Sequence, residues 1–302
     1  MVEGVFLGSA AVACGVLTRH ELRTFHRKVL PDVYVANGRQ LTLRDRATAA
    51  WLWSGRNGVV SGVAASALHG ARWVDDDVVV ELNWPNHRSP VGVRTRNDTL
   101  HGDEVMVVRG LPVTTPERTA FDLARRGAIG DAVARLDALV RATQVKADDV
   151  LELARRHPHV RGLRRVSHVL DLVDAGAQSP RETWLRMMLV ADGYPRPQTQ
   201  IPVYGADGYP RYYLDMGWEH ISVAVEYDGE HHRENSVQYR GDILRMEYIA
   251  SAGWLVVRVV KGQDRRQILT RVERAVAARG GFRDCVPGEP YSHVVAASAA
   301  SA

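Results

Sequence analysis

The alternation of apolar and polar positions divides the chain into stretches of different period. Near the amino end SAAVACG is small and apolar, and TRHELRTFHR sets Leu22 and Phe25 three apart with Thr18 placed to cap the start, so two short helices are predicted. VLPDVYVANG then alternates and closes on Asn-Gly, the pattern of a strand entering a tight turn. Helix, turn, helix and hairpin in that order predict a small winged helix-turn-helix over residues 1–40. In the next stretch, 41–175, RDRATAAWLWSG and SGVAASALHG read as packed helices, and DDDVVVELNWP and DEVMVVRGLPVTT as strands. Val133, Leu136, Leu139 and Val140 fall at amphipathic spacing, as do Leu163, Val166, Val169, Leu170 and Val173. This middle part reads as scaffold, without a cluster of reactive side chains.

A boundary is expected at DAGAQSP, residues 174–180, where Gly, Ser and Pro interrupt the helical rhythm. Beyond it RETWLRMMLVADG reads as a helix. TQIPVY, RYYLDMGW and ISVAVEYD read as three successive strands, NSVQYRGDILRMEYIASAG as a long helix, WLVVRVV as a fourth strand and DRRQILTRVERAVAARG as a closing helix. The fold class is therefore α/β, of mixed α+β kind, with an α-β-β-β-α-β core over residues 176–283. The end of the chain, 284–302, runs into VVAASAASA and is expected to fray as a flexible tail.

At 302 residues the chain exceeds one ordinary core, and its 45% hydrophobic and 25% charged content is that of a soluble globular protein. A formal charge of +4 is compatible with a polyanion partner. Two cysteines far apart, Cys14 and Cys285, argue against a disulfide framework and for a reducing compartment. No run approaches the roughly 18 apolar residues of a membrane span. The first charge is Glu3, with no Arg or Lys ahead of the short apolar start, so a cytoplasmic location is expected and no membrane partner. No coiled-coil repeat stands out, which leaves the oligomeric state open.

Two clusters carry chemistry. Arg19, Arg23 and Arg27 recur every four residues, so on one helix they would form a ridge of guanidinium groups beside Lys28, suited to gripping DNA phosphates. The second is AVEYDGEHH, residues 224–232, where an apolar strand ends in Glu226, Asp228, Glu230, His231 and His232. By strand alternation Glu226 and Asp228 share a face with Ala224, while Val223, Val225 and Tyr227 take the other. On the preceding strand Asp215 faces with Tyr213, opposite Leu214, Met216 and Trp218. A hairpin turn at Trp218–His220 would set Asp215 beside Ala224 and diagonal to Glu226. Converging carboxylates repel unless a cation sits among them, and hard oxygen ligands favour Mg²⁺ or Mn²⁺ over zinc. Such a dication would polarise a phosphodiester, with His231 or His232 moving a proton. The plain alternative is a set of solvated carboxylates at a strand end.

The segment 178–280 resembles the very-short-patch-repair-like branch of the PD-(D/E)XK nuclease superfamily. The likeness is carried by SPRETWLR, YYLDMGW, VAVEYDGEHH, GDILRMEYIASAGW and LVVRVV in that order. It implies a restriction-endonuclease-like core whose acidic centre is Glu182, Asp215, Glu226 and Asp228. It further implies His232 after Asp-Gly, and Asp242 with Arg245 as the pair on the following helix. Asp228 stands where the superfamily usually has a lysine that orients the attacking water. Residues 5–125 resemble AbiEi-like antitoxin regulators through LTRHELRTFHRKVLPDVYVANG, SGVAASALHG and GLPVTTPERTAFDLAR. That implies a winged helix that binds operator DNA, ahead of a regulator-like middle domain.

Two functions are expected on these grounds. The first is a metal-dependent DNA endonuclease. It would grip DNA through Arg19, Arg23, Arg27 and Lys28, hold Mg²⁺ or Mn²⁺ on Asp215, Glu226 and Asp228, and use Glu182, His232 and Arg245 in catalysis. The alternative is a non-catalytic DNA-binding regulator or antitoxin of the abortive-infection type.

Overall fold

The structure, a computed structural model, describes residues 4–86, 88–229 and 236–282. It is a mixed α and β protein that divides between Val173 and Asp174 into two compact units. His231, His232, Glu230 and Cys285, together with the tail, lie outside the described residues.

The first unit opens with β1 (Phe6–Leu7), α1 (Gly8–Ala13), α2 (Arg19–Phe25), β2 (His26–Leu30) and β3 (Val33–Ala36), and the strands form a sheet of order β1-β3-β2. Helix α2 starts where its cap dictates. The Thr18 hydroxyl accepts from the Glu21 amide at 3.1 Å while the Glu21 carboxylate accepts from the Thr18 amide at 2.8 Å, a reciprocal capping box. The helix stops at Phe25 because His26 turns extended to pair with Ala36 and its ring packs on Phe6, centroids 5.2 Å apart. Arg27 and Lys28 therefore belong to β2 and not to a helical ridge with Arg19 and Arg23.

Helix α3 (Leu43–Trp53) joins this small sheet to a larger one. Its Ala49 and Leu52 pack against Val33, while Ala47 and Ala50 pack against Val60, Leu82 and Val113. Being covered on two sides, α3 has small residues where a surface helix would show a polar face. The segment read as a separate winged helix over 1–40 thus shares its core with the middle part. That part continues with β4 (Val59–Ser61), α4 (Gly62–Leu68), β5 (Val80–Asn83), β6 (Val93–Arg96), β7 (Val105–Val108) and β8 (Leu111–Thr114). It ends with α5 (Pro116–Ala124), α6 (Ile129–Thr143), α7 (Ala147–Arg155) and α8 (Val166–Asp171). Its strands lie in the order β6-β5-β4-β8-β7.

The second unit runs α9 (Pro180–Ala191), β9 (Gln198–Tyr204), β10 (Pro210–Trp218), β11 (Val223–Asp228), α10 (Ser236–Ser251), β12 (Leu255–Val260) and α11 (Arg265–Ala278). This is α-β-β-β-α-β-α. The sheet has the order β12-β11-β10-β9, antiparallel except for the β11–β12 pair, which α10 connects. One face packs Met216, Val223, Val225 and Val257 against Leu185 and Leu189 of α9 and Ile268 and Val272 of α11. The other packs Leu214 and Ala224 against Ile249 of α10. Covered on both faces, β11 reads as an apolar run rather than an alternation.

The antiparallel pairing of β10 with β11 depends on Gly217, where an added Cβ would lie 2.4 Å from the Val223 carbonyl oxygen and 2.9 Å from the Ala224 Cα. No side chain can be accommodated there without parting the strands. Gly217→Ala is expected to destabilise the protein by roughly 1–3 kcal/mol, the usual cost of overpacking, read as a lower midpoint in urea unfolding. A midpoint equal to the wild type would show that the strands can part freely.

Candidate functional site

Four exposed basic side chains stand on the helix-turn-helix and hairpin. Arg19 and Arg23 project from α2, and Arg27 and Lys28 from β2. Arg27 donates to the Arg39 carbonyl at 2.9 Å, which holds its side chain along the hairpin. The only carboxylate of α2, Glu21, is turned back onto Thr18 and held below the usual carboxylate range by the Thr18 amide and hydroxyl. The surface of this element is thereby left cationic.

In the second unit Glu182, Asp215 and Glu226 come together, and Asp228 does not join them. The turn after β10 is longer than a two-residue hairpin, with a 3-10 segment at Glu219–Ile221 and Ser222 at φ 51. The ladder therefore pairs Gly217 with Ala224 and Met216 with Val225, so Asp215 lies across from Glu226 rather than beside Ala224. Alternation also slips here. Leu214 packs toward α10 while Met216 and Trp218 pack toward α9 and α11, so the three do not share a face as expected. On β9, Gln200 sits between the partners of Leu214 and Met216 with φ 52, the local irregularity that accompanies the slip. Beyond the last ladder pair, Asp215 Oδ2 accepts from the Tyr227 amide at 2.9 Å, filling the place of a backbone partner.

Each neighbour of Asp215 is held by another group. Arg245 of α10 forks onto Glu226, Nη1 to Oε2 at 3.1 Å and Nη2 to Oε1 at 2.5 Å, and also donates to the Tyr213 carbonyl at 3.1 Å. Asp228 pairs with Arg258 of β12 at 2.7 Å. Glu182, in the first turn of α9, accepts from the Gln178 amide at 2.7 Å and the Ser179 hydroxyl at 2.9 Å. The Asp215 carboxyl is pushed up to about 7, first by burial and then by the Glu182 and Glu226 charges, against the lowering effects of the Tyr227 amide and Arg245.

The ligand atoms of Asp215, Glu226 and Asp228 do not all lie within 4.8 Å of one another. Among the described residues, the only three His, Cys, Asp or Glu side chains whose ligand atoms all lie within 4.8 Å of one another are His101, Glu104 and His157, in the first unit. Two guanidinium groups compensate the acidic strand end where a cation was expected, because both lie on elements packed beside β11.

A model of the AbiEi antitoxin C-terminal domain matches residues 4–172, more than half of the chain. This protein belongs to that AbiEi antitoxin family. Uncharacterized proteins from two strains of Mycobacterium tuberculosis, CDC 1551 / Oshkosh and ATCC 25618 / H37Rv, are each 25% identical to it over 240 residues, 80% of this chain and 87% of theirs. The match must extend into the second unit, since the first ends at Val173. The crystal structure of the Rv2827c protein from Mycobacterium tuberculosis resembles it at a TM-score of 0.40 and 17% identity, covering 56% of this chain and 71% of that one.

Within the AbiEi-matched part lies a charged network that composition and period did not reveal. Arg118 of α5, only 1% exposed, donates from Nη1 to Glu104 at 2.5 Å and the Thr99 carbonyl at 2.7 Å, and from Nε to Asp122 at 3.1 Å. Asp122 also accepts from Arg125 at 3.0 Å, and Arg125 and Arg126 reach Asp98. His157 Nε2 meets the second oxygen of Glu104 at 2.6 Å, so both carboxylate oxygens of this His-Glu-His cluster are already engaged. Burial would raise the Glu104 carboxyl, yet His157 and Arg118 hold it below its ordinary value. The signal was present as Thr-Pro opening a helix, with Arg118, Asp122, Arg125 and Arg126 spaced at three and four residues along it and just past its end. The network ties α5 to the loops around Thr99 and Glu104 and to the end of α7, a structural task.

Removing one member of a closed buried charge set leaves the others uncompensated, so Arg118→Leu is expected to cost about 3–5 kcal/mol in denaturant unfolding. A loss under about 1 kcal/mol would show that solvent reaches the network. Asp215 yields the opposite sign. Because its folded pKa lies above the unfolded value, its contribution is fully present below about pH 4 and is lost as pH rises through about 7. Asp215→Asn retains an acceptor for the Tyr227 amide and removes the repulsion. It should melt higher than the wild type at pH 8, by an amount on the order of 1–3 kcal/mol that vanishes near pH 4. Parallel melting curves at both pH values would contradict the carboxylate cluster.

Proposed function

We propose that this protein is a DNA-binding regulator of antitoxin type, gripping the phosphate backbone with α2 and the β2–β3 hairpin. The observation that carries the reading is the AbiEi match over residues 4–172, which takes in α2 and β2 with their exposed Arg19, Arg23, Arg27 and Lys28. In a helix-turn-helix the second helix enters the major groove while flanking cations contact phosphates. The cap at Thr18 supports that role by spending the only acidic group of α2 internally. The family is one of antitoxins, so a toxin protein is the second partner the reading implies.

A second reading, metal-dependent phosphodiester cleavage in the second unit, is favoured by one observation, the convergence of Glu182, Asp215 and Glu226. The donors do not fit an Mg²⁺ or Mn²⁺ ion as they stand, because Arg245 forks onto Glu226 and Asp228 is turned to Arg258. On the leading reading the centre is a self-compensated cluster.

The two readings part in one set of measurements. Duplex binding should fall steeply with salt, and Arg19→Ala with Arg23→Ala should reduce the slope of log K against log salt by roughly 2. Asp215→Asn should bind as the wild type does, and supercoiled plasmid should survive Mg²⁺ and Mn²⁺. Nicking that disappears in Asp215→Asn would install the second reading. Duplex affinity indifferent to Arg19 and Arg23 would remove the first.

A further inference from the structure

The segment from Leu153 to Leu170 holds five arginines and three histidines and no carboxylate. Two of the arginines are compensated from outside it, Arg155 by Glu152 and Arg156 by Asp103 at 2.7 Å. The other three lie within five residues, on the turn that leads into α8. The exposed side chains of Arg161 and Arg164 have no hydrogen-bond or ion-pair partner among the described residues. Arg165 donates Nη1 to the Gly127 carbonyl at 2.6 Å, while its Nε and Nη2 are buried and without a hydrogen-bond partner among the described residues.

This turn is a built feature. Gly162 has φ 86, and an added Cβ there would lie 2.2 Å from the Arg125 carbonyl oxygen, so the backbone sits directly on the end of α5. Arg125 Nη1 donates to the Arg161 carbonyl at 3.5 Å, and Val166, Val169 and Leu170 are buried just beyond. Asp122 of α5 and Asp98 after β6 are committed to Arg118, Arg125 and Arg126. Three guanidinium groups on a fixed backbone repel one another, and an anion with several oxygen acceptors relieves that repulsion. Guanidinium forks match phosphate oxygens, and a backbone already in place lowers the ordering cost of binding.

We propose that the turn Arg161–Arg165 is a phosphate-binding site that grips the backbone of duplex DNA, separate in sequence from the helix-turn-helix. The inference rests on the DNA-binding reading above and adds a second contact to it. The site positions DNA and reads no base.

Fluorescence anisotropy on the full chain with a labelled random-sequence duplex, across a range of salt, tests it. Arg161→Ala with Arg164→Ala should weaken low-salt binding at least about fivefold and lower the salt slope by roughly 2, about 0.9 for each phosphate that is no longer neutralised. The thermal midpoint should stay at the wild-type value, since neither side chain has a partner to lose. Wild-type affinity and slope in this variant, with binding weakened only by Arg19→Ala and Arg23→Ala, would overturn the second site and leave the helix-turn-helix reading standing. A wild-type chain that binds no duplex would overturn both. Calorimetry with inorganic phosphate separates the source of the anion. Heat that depends on Arg161 and Arg164, alongside unchanged duplex affinity, would make free phosphate the ligand and overturn the DNA assignment.

Discussion

Taking a carboxylate out of water costs several kcal/mol, and a guanidinium that forks onto both oxygens is the side chain best shaped to offset that cost. Glu226 meets the problem this way through Arg245, while Glu104 divides its two oxygens between Arg118 and His157, and Asp122 divides its own between Arg118 and Arg125. The surrounding apolar layers can close only because these charges are matched locally. Asp215 is the informative exception. It has a backbone amide and two acidic neighbours, and burial with that repulsion displaces its titration to about 7.

The same pairing decides how the acidic strand end is understood. A strand such as AVEYD that brings carboxylates to one place needs positive charge, and a divalent ion and an arginine supply it equally well on paper. In the folded chain α10 delivers Arg245 to Glu226 and the parallel strand β12 delivers Arg258 to Asp228. With these pairings the acidic strand end is neutralised from within the second unit.

Much of the architecture was legible because it follows from local rules. Period and turn chemistry located the two short helices and the α-β-β-β-α-β-α order of the second unit, whereas the hairpin turns at Pro31-Asp32, inside VLPDVYVANG, and not at Asn37-Gly38. Where the reading failed, a tertiary contact had overridden a local pattern. The four-residue recurrence of Arg19, Arg23 and Arg27 looks helical, but His26 is needed against Phe6 and in the ladder with Ala36, so the helix ends before Arg27. The face of Leu214 and the neighbour of Asp215 were misplaced for a related reason. Strand alternation assumes an unbroken pleat, and the irregularity at Gln200 together with a longer turn changed both side and register.

What the sequence determined alone is what depends on neighbours in the chain: the cap at Thr18, the order of helices and strands in the second unit, and the mixed fold class. What only the tertiary structure decided is which charge meets which. Arg118 reaches Glu104 across 14 residues, Arg245 reaches Glu226 across 19, and Arg258 reaches Asp228 across 30. No periodic pattern encodes such pairings. They follow from the order in which strands and helices stack, and that order sets whether a group of carboxylates presents itself to a metal ion or is already neutral.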